Sequence, residues 1–397
     1  ATRVTEQGLV QPVEIVGSEL VNNGSFDTTL SSELVQNGDF EQIGSELVTN
    51  GGFSDGENGW FTSSGNFDII NGKAVISHTN DSAIIAQSNV ATVGKIYRVE
   101  FTISDYSEGR IRLRYPFING DLESNPRNGT FVYYGKAVDH RFELQSRFTV
   151  DANYKVDNIS VKEVGQNWDL ENGWNIKNGV AVNNSPTSGG SGLYTDVNIV
   201  SGKTYVFEYD IVSSTPSAQV QLSVCDNAQG SNGIAVDNYQ SCVGSYKVYH
   251  QATQNNSGFR FRAAMDSGRE ITLDNISVKE VQGLDMWTNS DGSFVYNGEG
   301  IKITSNGTTL NRLRQVTSNT IGGSGLTAGV YRLTYDILEN NNVTDLRVYN
   351  GSAYVVIPSI VGSNEFMLDH DGNQTDLFIN LRDTTAGDYV VIDNISI

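Results

Sequence analysis

An alternation of apolar and polar residues occurs three times along the chain. The stretches read GKIYRVEFTI, GKTYVFEYDI and AGVYRLTYDI, and they begin at Gly94, Gly202 and Ala328. In each stretch four apolar side chains occupy every second position, a period that fits a strand with one buried face and excludes a helix face. These positions are Tyr97, Val99, Phe101 and Ile103, then Tyr205, Phe207, Tyr209 and Ile211, then Tyr331, Leu333, Tyr335 and Ile337. The pattern predicts the same buried strand in three repeated units.

A closing phrase fixes the length of the repeat. It reads VDNISVKEV, LDNISVKEV and IDNISI, and its aspartates are 117 and 119 residues apart. A phenylalanine stands fifteen residues before each aspartate, and we expect these three to be equivalent: Phe142, Phe259 and Phe378. Self-similarity at a fixed period indicates tandem domains. We therefore predict an N-terminal arm of residues 1–45 and three modules, residues 46–164, 165–281 and 282–397, joined by connections too short for free swivel.

An opening phrase also occurs three times: ELVNNGSF at residues 19–26, ELVQNGDF at 33–40 and ELVTNGGF at 46–53. Only the third copy continues directly into a module, so we assign it as the first strand of module 1. Two interpretations of the earlier copies stay open. They are either a duplicated polar spacer or β-segments that add to an exposed sheet edge, in their own module or in a neighbouring subunit.

The second interpretation gives the arm a role in assembly. It predicts that deleting residues 1–44 abolishes assembly and leaves three folded modules. The assembly residues would be Glu19, Leu20, Val21, Phe26, Glu33, Leu34, Val35 and Phe40.

Composition supports an all-β fold. The chain has 18 Tyr, 16 Phe and 41 Gly but only 6 Pro, and its Val, Ile and Thr are broken by Asn-Gly and Gly-Lys pairs, which is typical of strands and turns. No segment has a convincing amphipathic helical pattern. We predict three tandem β-sandwiches, and we favour the jelly roll over another sandwich or a barrel because the first and last strands both carry fixed motifs.

Charge and motifs exclude several function classes. The net charge is −20 with only 26 Lys and Arg, so we expect no nucleic-acid partner. No apolar run approaches the roughly 20 residues of a membrane span, and Ala1 opens no signal-like segment, so we expect no membrane insertion. The absence of an initiator Met indicates a processed product or part of something longer.

Candidate catalytic residues are scarce. No histidine lies in a metal-binding motif and no GxSxG is present, so we expect no enzyme activity. The histidines are His78, His140, His250 and His370, and we interpret His250 and His370 as equivalent turn positions with solvated imidazoles. Cys225 and Cys242 fit either a disulfide or two free thiols.

Together the opening ELVTNGGF…NGW, the central GKxYxxxxxI and the closing DNISVKEV resemble carbohydrate-binding-module-like jelly rolls of families four, nine and twenty-two, over residues 46–397. The N-terminal ATRVTEQGLVQPVEIVGSELV resembles the element that precedes such modules in structural proteins of tailed phages. The resemblance implies a non-enzymatic virion structural protein on the virion surface: a tail fibre, a head fibre or a capsid decoration protein. Its implied partners are other virion subunits or further copies of itself, in a homo-oligomer such as a trimer, and host-surface polysaccharide bound through repeated modules.

The resemblance also implies roles for single residues. An aspartate at the start of the last strand helps bind a structural calcium ion in such modules, which points to Asp157, Asp274 and Asp393. Carboxylates and backbone carbonyls supply the oxygens that calcium requires, but a side-chain bond to the local backbone would explain the same residues. Trp60 and Trp174, which follow matching Asn-Gly pairs, are interpreted as core residues rather than sugar-stacking platforms.

Two other functional readings stay open at this stage. The first is a secreted or surface-exposed bacterial protein, acting as a carbohydrate-binding adhesin or an extracellular filament. The second is the accessory region of a polysaccharide-degrading enzyme whose catalytic domain would lie outside this chain.

Overall fold

The structure is a computed structural model that describes residues 2–4, 10–12, 17–62, 67–79, 82–117, 127–146, 151–171, 173–184, 189–289, 294–308, 311–382 and 385–397. Within these ranges the chain forms β-strands and one short 3₁₀ turn at Thr317–Asn319, with no α-helix. The all-β prediction is confirmed. Ten of the 21 residues of the N-terminal stretch that resembles a phage connecting element lie outside the described residues.

Four short strands precede the modules. β1 and β2 pair with each other, β3 pairs with a strand of module 2, and β4 pairs with a strand of module 1. Their bounds are β1 Thr2–Val4, β2 Val10–Pro12, β3 Thr29–Leu30 and β4 Ile43–Glu46.

Module 1 contains nine further strands. They are β5 Phe61–Thr62, β6 Phe67–Ile70, β7 Lys73–His78, β8 Ile84–Gln87, β9 Ile96–Glu108, β10 Ile111–Tyr115, β11 Gly129–Lys136, β12 Phe142–Ser146 and β13 Ala152–Val164.

Module 2 contains ten strands. They are β14 Asp169–Leu170, β15 Trp174–Lys177, β16 Val180–Asn183, β17 Gly189–Ile199, β18 Thr204–Ser214, β19 Gln219–Cys225, β20 Ile234–Ala235, β21 Gly244–Gln251, β22 Asn256–Met265 and β23 Ile271–Gln282.

Module 3 repeats these ten. They are β24 Thr288–Asn289, β25 Phe294–Tyr296, β26 Ile301–Thr304, β27 Asn311–Gln315, β28 Gly329–Asn341, β29 Leu346–Tyr349, β30 Tyr354–Ile357, β31 Gly362–His370, β32 Leu377–Leu381 and β33 Tyr389–Ser396.

Each module is a sandwich of two antiparallel sheets in one repeated order. The closing sheet, which contains the DNIS strand, runs β11-β9-β13-β7-β6 in module 1, β21-β18-β23-β16-β15 in module 2 and β31-β28-β33-β26-β25 in module 3. The opposing sheet runs β10-β12-β8-β5, β20-β19-β22-β17-β14 and β30-β29-β32-β27-β24. Three copies of one two-sheet topology confirm the tandem jelly-roll sandwich.

The central strand of each closing sheet buries the face that the sequence predicts. In β9 the four alternating side chains from Tyr97 to Ile103 are buried, and β18 repeats this from Tyr205 to Ile211. In β28, Leu333, Tyr335 and Ile337 are buried and Tyr331 is half-buried. The period-two pattern is confirmed.

The predicted equivalence of the three phenylalanines is wrong for the third. Phe142 and Phe259 lie inside their cores, but Phe378 sits on the outer face of β32, where its neighbours Leu377 and Ile379 face the core. Its ring contacts Tyr349 at 5.9 Å between centroids. A shift of one residue along a strand moves a side chain to the other face, so equal spacing in sequence did not give equal position.

Neighbouring modules are in direct apolar contact. Ile96 and Val164 of module 1 belong to the same buried cluster as Ile176 of module 2. At the next junction Val206 and Val281 of module 2 join the core cluster of module 3. The modules therefore share buried surface where they meet.

Candidate functional site

The three opening segments lie beside the three closing strands, but apart from Glu46 none of their residues is in a β-strand, so the prediction that residues 46–53 form the first strand of module 1 is wrong. In module 1 the Leu47 backbone N–H donates to the Val161 carbonyl at 3.0 Å, and Ile159 donates to Gly51 at 2.9 Å. The same pair of bonds joins residues 33–40 to β23 of module 2, where Leu34 donates to Val278 and Ile276 donates to Gly38. It also joins residues 19–26 to β33 of module 3, where Leu20 donates to Ile397 and Ile395 donates to Gly24.

The glutamate of each opening segment binds the serine of a closing phrase. Glu46 accepts a hydrogen bond from the Ser160 hydroxyl at 2.6 Å and another from the Val161 backbone N–H at 2.8 Å. Glu33 accepts the matching bonds from Ser277 at 2.5 Å and Val278 at 2.8 Å. Glu19 accepts them from Ser396 and, at 3.1 Å, from Ile397. The ELV and DNIS motifs are thus the two halves of one joint.

A tryptophan covers each joint from inside the module. The indole N–H of Trp60 donates to the Asn50 carbonyl at 2.9 Å, and its ring lies 5.1 Å from Phe53. Trp168 repeats this with Asn37 and Phe40, and Trp287 repeats it with Asn23 and Phe26.

The predicted match of Trp60 with Trp174 is therefore wrong, since Trp168 holds the equivalent position. Trp174 is also buried, and its indole N–H donates to the Ser191 carbonyl at 3.1 Å. All four tryptophans are at most 8% exposed, which confirms the packing interpretation.

The eight arm residues of the assembly hypothesis all lie at these joints. Val35 and Phe40 belong to the buried cluster of module 2, and Val21 and Phe26 belong to that of module 3. Leu34 and Leu20 pack against the same clusters, and the two glutamates hold the closing serines. The spacer interpretation is wrong, because these residues complete cores of their own chain. A role between subunits stays a prediction.

The arm closes the modules in reverse order: its first segment joins module 3, its second joins module 2 and its third joins module 1. The third segment leads directly into Trp60, so module 1 is fixed as its partner. The second segment begins only 13 residues earlier, and 13 extended residues span at most about 45 Å. Going back along the arm from module 1, the second segment therefore reaches the adjacent module 2, and the first segment reaches the more distant module 3.

A signal for this pairing was present in the sequence. The chain has three opening phrases and three closing phrases, although only one opening phrase stands at the start of a module. Equal numbers of the two phrases indicate that each closing strand has its own partner. Local context did not reveal this, because the pairs lie up to 378 residues apart.

The aspartates of the closing phrases lie at a bulge in each strand. Asp157 and Asp274 each accept a 2.7 Å hydrogen bond from the backbone N–H of the next asparagine. That asparagine has φ near +52° in all three modules, a left-handed conformation that asparagine tolerates well. In module 3 one carboxylate oxygen of Asp393, Oδ1, is buried.

Each of the two later aspartates faces other carboxylates. Burial raises the pKa of Asp274, and the nearby Asp210 raises it further. The pKa of Asp393 is raised by burial and by Asp336. Among the described residues, however, no group of three or more metal-binding side chains converges, and Asp336 already accepts a bond from Asn394. Calcium stays a prediction.

The interpretation of His250 and His370 as solvated turn residues is wrong, since both lie in strands. His370 is 1% exposed and accepts a bond from the Gly372 backbone N–H. Burial lowers the pKa of His250. The thiols of Cys225 and Cys242 are both free, and burial raises the pKa of Cys225 to about 11, which makes that thiol unreactive at neutral pH.

Within the described part of the chain, no helix has the length and apolarity required to cross a membrane. No protein-family model matches the chain, and no characterised protein matches it in sequence.

Among solved structures, the chain is similar to the tandem CBM22-1 and CBM22-2 domains of Paenibacillus barcinonensis Xyn10C, at 12% identity and a TM-score of 0.27, over 60% of this chain and 98% of that one. It is also similar to a triple jelly-roll turret protein of an archaeal virus, at 13% identity and a TM-score of 0.21, over 85% and 88%. A Sulfolobus Turreted Icosahedral Virus protein aligns at 12% identity and a TM-score of 0.22, over 85% and 89%. At such scores the assignment of the fold rests on the sheet order of the chain itself.

Proposed function

We propose that this chain is a non-enzymatic structural and adhesive protein of a virion surface, a fibre or decoration that displays three jelly-roll modules. The observation that carries the proposal is the arm, which supplies one opening segment to each module in turn. A chain built in this way holds its modules in a fixed row, because each is tied both to its neighbour and to a common arm. Display at a distance from an attachment point requires such stiffness.

Adhesion to surface polysaccharide is the second part of the proposal. Three similar modules in a row offer three sites on one chain, and linked sites raise the effective concentration of weak contacts. The virion location draws on the sequence resemblance. Assembly with other virion subunits or with further copies, for example as a trimer, and calcium binding at the closing aspartates belong to the same proposal.

Immunogold labelling tests the location. Antibodies raised against the purified chain should decorate intact virions at a fixed position on the head or tail. Labelling of the bacterial cell surface without virions would instead favour the surface adhesin or filament. Analytical ultracentrifugation of the whole chain measures the number of copies, and a monomer at all concentrations would contradict the assembly part.

A further inference from the structure

We propose that copies of this chain associate head to tail, with the end of module 3 in one copy packed against the start of module 1 in the next. The inference rests on the assembly part of the proposed function, and it names the partner, a second copy, and the two surfaces that meet. It begins from the two junctions inside the chain, which show what each end of a module contacts when a neighbour is present.

The two internal junctions use equivalent strands. At the first junction, β15 at the start of module 2 packs against β9 and β11 of module 1. At the second, β25 at the start of module 3 packs against β21 of module 2. In the repeated sheet order β25 takes the place of β15, and β21 takes the place of β11. Modules 1 and 2 therefore each carry the next module on the same part of the closing sheet.

Module 3 exposes a valine on this part of its closing sheet. Ile96, Thr204 and Val330 each precede the tyrosine that begins the buried alternation of the central strand. Ile96 is 3% exposed and shares a buried cluster with Ile176 of the following module. Thr204 is also buried, but Val330 is 68% exposed. The described part of the chain places no following module beside Val330.

A methionine next to this valine matches two residues that contact a following module. By strand register, Met367 in β31 is equivalent to Tyr134 in β11 and Tyr249 in β21. The Asn175 amide of module 2 donates to the Tyr134 carbonyl at 3.4 Å, and the Tyr249 ring meets that of Tyr296 in module 3. Met367 is 53% exposed and lies diagonal to the exposed valine across the two strands. Val330 and Met367 together form the trailing face of module 3.

The start of module 1 exposes apolar residues in the strand that would meet a preceding module. This strand is β6, and by register its Ile69 matches Ile176 in β15 and Tyr296 in β25. Ile176 and Tyr296 are buried at the internal junctions. Ile69 is only half-buried, and Ile70 beside it is exposed.

Phe61 in β5 belongs to the same surface. It follows the tryptophan that covers the joint of module 1, and the residues that hold this position in modules 2 and 3 are Asp169 and Thr288. Both of these line a cleft between their own module and the one before it. Phe61 is 64% exposed. Phe61, Ile69 and Ile70 together form the leading edge of module 1.

A second copy is the partner that fits both surfaces. The segment before module 1 is the arm, whose residues 19–40 lie along the closing strands of modules 3 and 2, so the described part of the chain places no preceding module at the leading edge. The trailing face and the leading edge are the two halves of a contact that the chain already makes twice. Contact between two unlike surfaces repeats from copy to copy and gives an open row or a closed ring.

Sedimentation velocity of the whole chain at increasing concentration tests for this association. We expect species larger than the monomer to grow with concentration. Each copy carries a net charge of −20, so repulsion between copies should weaken as salt rises. Association through apolar surfaces should therefore strengthen with salt.

Two double variants assign the surfaces. Val330→Glu with Met367→Glu changes the trailing face, and Phe61→Glu with Ile70→Glu changes the leading edge. Each double variant alone should associate at least about tenfold more weakly, because the contact would bury unpaired charges. An equimolar mixture of the two variants should form dimers and nothing larger, since each contributes the surface that the other has lost.

A matched control uses exposed valines away from both ends. Val212→Glu with Val243→Glu adds the same charge to module 2, at positions that are also exposed, and should associate like the native chain. Far-UV circular dichroism compares the folding of every variant with that of the native chain. Dimers in the mixture would themselves show that both double variants are folded.

Three results would overturn the inference. Native association that survives in both double variants, as a trimer for example, would show that another surface mediates it. A mixture of folded variants that stays monomeric would exclude contact between the trailing face and the leading edge. A native chain that is monomeric at all concentrations would remove the assembly part of the proposed function as well. Immunogold labelling does not depend on self-association, so the virion location is tested separately.

Discussion

The glycine of each opening segment touches the backbone of a closing strand. A Cβ atom added to Gly24, Gly38 or Gly51 would lie 1.7, 1.9 or 2.0 Å from a carbonyl oxygen of that strand. The asparagine before each glycine and the phenylalanine two residues after it have φ between +47° and +56°. The Asn, Gly and Phe of the NGxF phrase therefore each meet a requirement of the local backbone. The sequence alone showed only that the phrase occurs three times.

Two adjacent glycines give a matched test of this contact. Gly51→Ala should lower the free energy of unfolding by about 1–3 kcal/mol, as overpacking does, because the Ile159 carbonyl must move. Gly52→Ala should change it by less than about 0.5 kcal/mol, since no atom lies within 4 Å of its Cβ position. Denaturant unfolding of the whole chain measures both, and equal effects would contradict the close approach.

The closing aspartate of module 2, Asp274, makes stability depend on pH. Burial raises the folded-state pKa of Asp274 above its unfolded value, so the folded state binds the proton more tightly. Stability from this group is present below the unfolded pKa, near 3.9, and is lost as pH rises through the folded pKa.

Asp274→Asn should therefore raise the melting temperature at neutral pH without calcium, because the amide oxygen can still accept the Asn275 bond. Differential scanning calorimetry measures the melting temperature with EDTA, which keeps the chain free of calcium, and with added calcium. If calcium binds there, it should stabilise the native chain, and the asparagine variant should respond less. A native chain that does not respond to calcium would contradict the metal prediction.

At the scale of elements, the opening segments contribute residues to the module cores, although they are turns and irregular backbone rather than strands. Val21 and Phe26 are 4% and 2% exposed, and Val35 and Phe40 are 7% and 1% exposed. Burying a valine or phenylalanine side chain stabilises a fold by about 1.5–3 kcal/mol. Modules 2 and 3 each lose two such residues, and the hydrogen bonds of one joint, when the arm is removed.

Deletion of residues 1–44 should thus unfold modules 2 and 3 and leave module 1 folded. This differs from the expectation drawn from sequence, in which all three modules remain folded. Hydrogen exchange measured by mass spectrometry should show loss of protection in β23 and β33 and retention in β13. Deletion of residues 1–16 alone is the control and should leave all three strands protected. Full protection of β23 in the longer deletion would contradict the assignment.

At the scale of the whole molecule, two continuous features couple the modules. One is the arm, in which residues 19–53 touch all three closing strands. The other is the pair of junctions, where Lys136 donates to the Leu170 carbonyl at 2.6 Å and the ring of Tyr249 meets that of Tyr296 at 5.4 Å. Because of both features, unfolding of one module also removes contacts that stabilise its neighbour.

The whole chain should consequently unfold in one cooperative thermal transition. A protease site inserted between Phe40 and Ile43, where the arm passes from module 2 to module 1, allows this coupling to be cut. After cleavage, calorimetry should resolve a separate transition for module 1. The uncleaved insertion variant is the control, and an unchanged single transition after cleavage would mean that the junctions alone couple the modules.

Period-two alternation and repeated phrases were sufficient to predict the β class, the threefold repeat and the buried face of the central strands, because these follow from local geometry. Two assignments that relied on equal spacing failed. Phe378 turned to the outer face through a one-residue difference in register, and Trp168 rather than Trp174 covers the second joint. Whether a side chain is buried depends on partners that are distant in sequence. Comparing motifs by their spacing does not identify those partners.

The sequence by itself determined that three opening and three closing phrases exist and that the closing phrases are built to form strands. Only the tertiary structure decided which opening meets which closing, because that choice depends on which module lies within reach of a short arm. It also decided which face Phe378 occupies, since an alternating strand has two faces and only the packed core distinguishes them. The reverse-order closure and the outward position of Phe378 are both consequences of that packing.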